Sequence, residues 1–324
     1  MRRTSGDAEA GTRYNEVYNY SLTDPEGFWG NAARELHWYR KWDKVLDVSD
    51  HPLARWFTGG QTNICYNALD RHVLGGAADT PAVIWETTAE GQSRTISYGE
   101  LYREVNRFAG VLLNIGVKKG DRVALYLPMV PESFIAILAC LRIGAVHSAI
   151  FTGFGVDAVA TRIAGCGAKV LITADAGLRR NKAIPLKAIV DRALEKAPVE
   201  TVIVIDRGLT DITMKAGRDH YWAELDKEKG EDYIEPVPLG SHEPSYIIYT
   251  ARETAGPGGV VRDTGGYMVA LHNSMKQIYD LRKGDVCWAA SDVGWVVGHS
   301  YMIYGPLLSG VTSLLVEGTP DYPD

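Results

Sequence analysis

From residue 82 onward the chain alternates short apolar runs with longer amphipathic ones, and that rhythm restricts its fold more than any other feature. The runs at 82–85, 122–126, 146–151, 170–173 and 201–205 are short and rich in β-branched residues, and they read as strands. Helical signals stand between them. Ser97 and Glu100 have the spacing of a capping box, in which the serine oxygen and the glutamate carboxylate each accept a hydrogen bond from an orphan backbone N–H. The helix they open carries Leu101, Val105, Phe108, Leu112 and Ile115 on one face and stops at Gly116. Pro131 opens a second helix, through Arg142, that Gly144 ends. Two more are read at 156–164 and 185–197. Five strands separated by helices of this length predict an α/β fold of doubly wound, mostly parallel sheets with flanking helices on both faces.

A polar stretch, 207–243, shows little periodicity and reads as a connection. Alternation resumes with a strand at 245–250, a helix at 266–279, a strand at 286–290, a helix at 301–308 and a strand at 312–316. Upstream, residues 15–75 hold four of the eight tryptophans, Trp29, Trp38, Trp42 and Trp56. Asp24 is placed to cap a helix that begins at Pro25, and the rest reads as short helix and loop clamped by its aromatics to a larger body. Asp70-Arg71-His72 reads as a polar helix face, since no nucleophile stands nearby. The chain divides accordingly. Residues 1–14 are a disordered tail, 15–75 an N-terminal aromatic-rich helical extension, and 76–243 a first α/β subdomain. Residues 244–324 are the start of a second α/β subdomain, truncated, so that the fold is incomplete on its C-terminal side. An interrupted sheet leaves an open strand edge, which favours self-association or a partner chain that covers it.

Composition narrows the function. A net charge of −6 gives no basic field for nucleic acid. No apolar run is long enough to span a bilayer, and Met1-Arg-Arg-Thr-Ser-Gly-Asp-Ala-Glu9 lacks the apolar segment of a secretory signal. Cys65, Cys140, Cys166 and Cys287 show no C-x-x-C spacing, which argues against a metal site or a disulfide framework and for a reducing, cytoplasmic location. Three sit among apolar or small neighbours and read as inert core thiols; Cys166, between glycines, is the candidate for exposure.

One segment breaks its own pattern. Behind the apolar run 246–249 lies Thr250-Ala-Arg-Glu-Thr-Ala-Gly-Pro-Gly-Gly-Val-Val-Arg-Asp263, where a phosphate-binding loop is expected. Such a loop needs glycines for close backbone approach, hydroxyls that donate, and a lysine. Here the glycines come late (Gly256, Gly258, Gly259), only Thr250 and Thr254 carry hydroxyls, no lysine is present, and Glu253 repels a polyphosphate.

The order of motifs carries a resemblance. Arg55-Trp-Phe-Thr-Gly-Gly60 with Asn63-Ile-Cys-Tyr-Asn67, Gly116-Val-Lys-Lys-Gly-Asp-Arg122, Ala139-Cys-Leu-Arg-Ile-Gly144 and Ile172-Thr-Ala-Asp175 are followed by Ser291-Asp-Val-Gly-Trp-Val-Val-Gly-His-Ser300 and Tyr304-Gly-Pro306. From about Tyr14 to its last residue the chain resembles the N-terminal half of AMP-forming acetyl- and propionyl-CoA synthetases, of the adenylate-forming superfamily. Val260-Val-Arg-Asp263 together with the 289–298 segment looks closer to the propionyl enzymes.

The resemblance implies an acid–thiol ligase: a short-chain acid such as propionate or acetate reacts with ATP to give an acyl-adenylate and pyrophosphate, and the CoA thiol then takes the acyl group and releases AMP. ATP/AMP and Mg are what it implies for a complete enzyme, with CoA as substrate. It places Arg179, Arg180 and Lys182 against the phosphates and adenine end of CoA, where Arg179-Arg-Asn-Lys182 read alone is a solvated basic turn. It places Trp295, Val296, Val297 and Gly298 on the wall of the acyl pocket, with Gly298 allowing close approach. Asp321 stands where relatives have an asparagine near CoA. His299 reads as a structural histidine with a satisfied hydrogen bond, because a carboxylate substrate needs no base. The resemblance also implies an adenine-binding segment, a ribose-binding aspartate, a hinge and a catalytic lysine beyond position 324, so no catalytic residue and no metal ligand is assigned within the chain.

Against that family pattern the phosphate loop has Ala251 for serine, Arg252 and Ala255 for glycines, Glu253 for threonine, and Gly256 and Gly258 for two lysines. The losses predict a poor grip on pyrophosphate and leave three readings open. One is part of a ligase, inactive as an isolated chain; another is a degenerate, non-catalytic relative that binds CoA or a protein partner; the third is a decayed gene product with no selected role.

Overall fold

The computed structural model describes residues 5–87, 93–229, 233–250 and 258–318. It opens with helix α1 (Ser5–Thr23), which begins inside the stretch expected to be a tail, and α2 (Pro25–Ala33). The Asp24 carboxylate accepts from the Gly27 N–H at 2.9 Å, the cap that Asp24-Pro25 spells. The extension is not only helical: β1 (Lys44–Asp50) and β2 (Leu53–Thr58) form an antiparallel hairpin, followed by β3 (Gln61–Thr62). Its aromatics interlock, Trp29 edge-on to Trp56 at 5.9 Å and Trp38 to Trp42 at 5.0 Å. The segment expected to be a polar helix face is interior. Asp70 is buried at the end of a π-helical turn, Tyr66–Asp70, and Arg71 donates to the carbonyls of Asn67, Glu35 and Leu308.

Next come β4 (Pro81–Thr87), β5 (Ser93–Ser97), α3 (Tyr98–Asn114), β6 (Arg122–Tyr126), α4 (Pro131–Ile143), β7 (Val146–Ala149), α5 (Val156–Cys166) and β8 (Val170–Ala174). After them follow β9 (Gly177–Arg179), β10 (Lys182–Ile184), α6 (Leu186–Leu194), β11 (Thr201–Ile205), β12 (Asp219–Tyr221), α7 (Trp222–Lys229) and β13 (Leu239–Gly240). The last group is β14 (Pro244–Thr250), β15 (Gly258–Asp263), α8 (Gly265–Gln277), β16 (Val286–Trp288), α9 (Gly305–Ser309) and β17 (Thr312–Glu317). Both capping-box bonds of α3 are made: Glu100 N–H to Ser97 Oγ at 3.2 Å, and Ser97 N–H to a Glu100 carboxylate oxygen at 2.8 Å. Helix α4 is apolar around nearly its whole circumference and is buried from Pro131 to Ile143 apart from Glu132, as a helix without a polar face must be. Gly144 ends it in the left-handed region, φ 73°.

Two sheets result, and they do not follow the order of the chain. The larger runs β12-β11-β8-β6-β7-β14-β15, parallel except for the β14–β15 pair. The smaller runs β16-β17-β4-β5, with β16, β17 and β4 parallel. The strand at 82–85 therefore leaves the group it was expected to join. Ser313↔Val83 and Leu314↔Ile84 pair it with β17, more than 200 residues away. Conversely, the strand at 245–250 pairs with β7 in the large sheet, through Tyr246↔His147. A boundary at 243/244 thus cuts across both sheets. Cys166, expected at the surface, is buried at 7% exposure because it faces inward at the end of α5, while Cys287 is half-buried; all four cysteines are free. Among the described residues no helix is long and apolar enough to cross a membrane.

Candidate functional site

In the large sheet the chain passes from β6 to its neighbour β7 and then returns to β8 on the other side of β6. Loops leaving the carboxyl ends of such strands diverge to opposite faces and leave a crevice. A cleft of about 410 Å³ lies there. Its walls come from Pro128 and Met129 after β6, from residues 151–155 after β7, and from the β9–β10 hairpin after β8. Across it stand the carboxyl ends of the second sheet's parallel strands: Trp288 with residues 289–292 after β16, and Val316, Glu317 and Gly318 at the end of β17. The cleft is mainly apolar, with Met129, Phe151, Phe154, Ile184, Trp288 and Met302 against three ionisable side chains, Arg179, Asp292 and Glu317.

The glycine-rich segment Phe151-Thr-Gly-Phe-Gly155 shapes one wall. The expected strand at 146–151 ends at Ala149, and the following residues turn into α5, whose N-cap is Gly155. Phe151 and Phe154 meet edge-on at 5.5 Å, and the guanidinium of the buried Arg162 lies over Phe154 at 4.1 Å, which holds that ring in place. This wall is a functional candidate that the sequence reading missed; a glycine-rich turn between a strand and a helix was its signal.

The cationic residues sit on a hairpin. Lys182 pairs directly with Arg179, Ala183 with Leu178 and Ile184 with Gly177. Arg180 and Asn181 form the two-residue turn, both left-handed at φ 49° and 57°, as this hairpin type requires. Asparagine tolerates that conformation; for arginine it costs about 1 kcal/mol. Arg179, Arg180 and Lys182 are all exposed. Among the described residues no acid pairs with Arg179 or Lys182, although like charges directly opposite one another destabilise a hairpin.

The expected acyl wall lies beside the cleft. Trp295 packs against Phe151 at 5.2 Å and Phe154 at 6.0 Å. Trp295, Val296 and Val297 are 39%, 39% and 44% exposed, an apolar row facing outward. Gly298 is buried, and a Cβ there would lie 2.0 Å from the Asp292 carbonyl oxygen, so its own loop makes the close approach. Gly294 is the glycine at the contact with the cleft wall: a Cβ would lie 2.5 Å from the backbone N and Cα of Phe151. The Asp292 carboxylate accepts from the Gly294 N–H at 2.7 Å, and burial pushes its carboxyl up to about 6.

His299 follows immediately. Its Nδ1–H donates to the Trp295 carbonyl at 3.1 Å, and its ring lies nearly parallel to those of Tyr246 (4.5 Å) and His147 (5.4 Å), which also meet each other at 5.5 Å. Nδ1 matches the expected satisfied hydrogen bond, but Nε2 is buried with no partner among the described residues. Burial pulls the imidazole down to about 4.

Not every expected residue can be placed. Thr254, Gly256 and Asp321 lie outside the described residues. Thr250 ends β14, and Gly258 and Gly259 begin β15, where Thr250↔Gly258 and Tyr249↔Gly259 are antiparallel pairs rather than parts of one loop. Among the described residues no cluster of three or more His, Cys, Asp or Glu is arranged to hold a metal ion.

A two-sheet α/β body with its crevice at the strands' carboxyl ends agrees with the sequence comparisons. Residues 69–324 match the model of AMP-binding enzymes, and residues 14–68 match that of the acetyl-coenzyme A synthetase N-terminus. The chain belongs to the AMP-binding enzyme family. Within this family it is similar to proteins named acetyl-coenzyme A synthetase. That of Rubrobacter xylanophilus is 47% identical over 317 residues, 98% of this chain and 49% of the relative. That of Deinococcus radiodurans is 47% identical over 99% of this chain and 50% of the relative. That of Pyrobaculum arsenaticum is 47% identical over 96% and 48%. The chain spans about half the length of the curated relatives it matches.

Proposed function

We propose that this AMP-binding family member supplies the CoA- and acyl-recognising part of a short-chain acyl-CoA ligase. The observation that carries the reading is the cleft itself. Apolar walls at Phe151, Phe154 and Ile184 suit a flat base, and Arg179 on the cleft wall, with Lys182 opposite it on the hairpin and no acid paired with either among the described residues, suits the phosphates beside it. The names of the relatives supply the reaction class. In that reaction the acid carboxylate attacks the α-phosphorus of ATP and expels pyrophosphate. The CoA sulfur then attacks the acyl carbon, gives up its proton, and AMP leaves. Mg²⁺ would shield the triphosphate charge, and no set of described residues is assigned to hold it.

Trp295, Val296 and Val297 give the acyl group an apolar surface. Nothing polar on it discriminates against propionate, and one methylene changes binding by only about 1–3 kcal/mol. The composition of residues 250–259 favours a second reading beside the first: a non-catalytic relative that binds CoA, because the loop has no lysine and carries Glu253.

Titration calorimetry with CoA tests the shared part. Wild-type protein is expected to bind, and Arg179→Ala with Lys182→Ala to lower affinity at least tenfold, as two charge-assisted contacts worth about 1.5–3 kcal/mol each require. CoA binding indifferent to both cations would refute it. AMP release from ATP with acetate or propionate separates the readings: release at rates typical of enzymes favours the ligase, and its absence with CoA binding intact favours the binding protein.

A further inference from the structure

We propose that Glu317 is a positioning residue: paired with Arg207, it aims the β9–β10 hairpin, and with it the Arg179/Lys182 cations, at the phosphate of the ligand in the cleft. The identity of that ligand rests on the CoA reading above; the anchoring of the hairpin does not.

Glu317 is the last residue of β17, in the four-stranded sheet, and its side chain is 1% exposed. Arg207 stands two residues beyond β11, in the seven-stranded sheet. Nη1 and Nη2 of the arginine meet the two carboxylate oxygens at 2.6 Å each, a bidentate fork that ties one sheet to the other. Both partners also reach the root of the hairpin. Arg207 Nη1 donates to the Ala176 carbonyl at 3.2 Å, and a Glu317 carboxylate oxygen accepts from the Leu178 N–H at 3.4 Å. Ala176 and Leu178 flank Gly177, where the hairpin begins, and Arg179 is the next residue after Leu178.

The hairpin needs such an anchor. It is a two-stranded sheet of its own, joined by no backbone ladder to either large sheet. Two-stranded hairpins are marginal when alone, and this one opposes two like charges and places an arginine in the left-handed region. Its direction must come from outside, and the Glu317–Arg207 fork is a rigid polar contact at its root. A buried ion pair adds little net stability over apolar residues of the same size; what it adds is defined geometry. Glu317, Leu178 and Arg179 line the same cleft, so geometry fixed at the first is delivered to the third.

The test uses the 324-residue protein, adenosine 3′,5′-bisphosphate and adenosine as probes, and amide hydrogen exchange without ligand. In Glu317→Gln the bisphosphate affinity is expected to fall about tenfold, the scale of a cationic contact misplaced by a fraction of an ångström. Adenosine affinity is expected to stay within about twofold, because the apolar walls are untouched. Exchange across 177–184 should quicken at least about tenfold, with β6 and β8 unchanged, since local opening is read amide by amide. Equal loss of both probes would mark a merely structural residue and overturn the proposal, as would hairpin exchange unchanged from wild type. Wild-type protein that binds neither probe would instead remove the ligand reading, and with it the phosphate role of Glu317, while exchange still decides whether the fork anchors the hairpin. If Glu317→Gln leaves Arg207 too costly to bury, Arg207→Met/Glu317→Leu removes both charges and is read in the same way.

Discussion

Arg142 and Asp70 form a bidentate ion pair that solvent does not reach, with contacts of 2.8 and 2.9 Å and both side chains at most 2% exposed. Arg142 belongs to α4, the most deeply buried helix, and Asp70 to the π-helical turn near the N-terminus. The remaining guanidinium contacts are also met. Nε donates to the Ile234 carbonyl at 2.6 Å, and the rings of Tyr102 and Tyr233 lie 5.5 and 5.3 Å from its carbon. One residue thereby joins the N-terminal extension, α4 and the segment that leads to β13.

Asp70→Ala leaves the Arg142 charge buried without its partner, and is expected to cost about 3–5 kcal/mol of unfolding free energy. Replacing both by leucine should cost less than the single change, since no charge then remains to be buried. Urea unfolding of the three proteins checks this. A single variant within about 1 kcal/mol of wild type would mean that the arginine relaxes to water, which its burial argues against.

The stacked histidines make stability fall in mild acid. Burial holds His299 down to about 4, from an ordinary 6.5, and holds His147 well below its ordinary value. The folded state therefore binds these protons less readily than the unfolded chain. Their contribution is complete above pH 6.5 and is lost as pH falls from there toward about 4. The groups around them, Tyr246, Tyr304 and Tyr267, stay neutral across this window, because burial raises their phenols. His299→Gln, whose amide still donates to the Trp295 carbonyl, should flatten the slope of unfolding free energy between pH 4 and 6.5 measured by urea titration. An unchanged slope would place the acid sensitivity elsewhere.

Gly294→Ala forces a methyl to within 2.5 Å of the Phe151 backbone, which cannot yield as a side-chain tip does. A destabilisation of about 1–3 kcal/mol is expected, with weaker CoA binding as the Phe151 wall shifts. Gly155→Ala is the control. A Cβ there meets nothing within 4 Å, and φ is −85°, so little change in stability is expected, and only the unfolding comparison uses it, since Gly155 lines the cleft. Thermal unfolding of the pair measures the difference, with calorimetry on Gly294→Ala alone; equal effects on stability would refute the close approach.

The repeating strands and helices were legible because each is a local signal: the caps at Asp24 and Ser97 and the stops at Gly116 and Gly144 depend on a few neighbours. Which sheet a strand joins is not local. Runs at 82–85 and 245–250 look alike in composition, yet the first pairs with β17 and the second with β7, exchanging the sheets that chain order suggests. The same limit hid the fork between Arg207 and Glu317. Arg207 and Glu317 are 110 residues apart, and each alone reads as a charge closing a strand. The basic cluster 179–182 was visible, but not that its turn makes Arg179 and Lys182 direct opposites. The glycine-rich signal at 151–155 was present and was absorbed into the strand before it.

The loop after β14 carries the last prediction. The segment 250–259 lacks lysine and contains Glu253, and it joins two strands paired as far as Thr250↔Gly258. Exchanging Ala251→Ser, Arg252→Gly, Glu253→Thr, Ala255→Gly, Gly256→Lys and Gly258→Lys supplies two lysines and two hydroxyls, removes Arg252 and Glu253, and moves two positions free of a Cβ earlier in the loop. Charge-assisted contacts contribute about 1.5–3 kcal/mol each, so the exchange is expected to tighten Mg–ATP binding at least tenfold. CoA affinity should remain unchanged, because Phe151, Ile184 and Arg179 are untouched. Calorimetry with each ligand separates the two sites. If Mg–ATP binds as weakly after the exchange as before, the composition of this loop is not what limits the nucleotide grip, and the non-catalytic reading loses its support. If it tightens and AMP release from ATP with propionate or acetate rises with it, phosphate recognition was the missing step in a chain whose acyl and CoA surfaces were already in place.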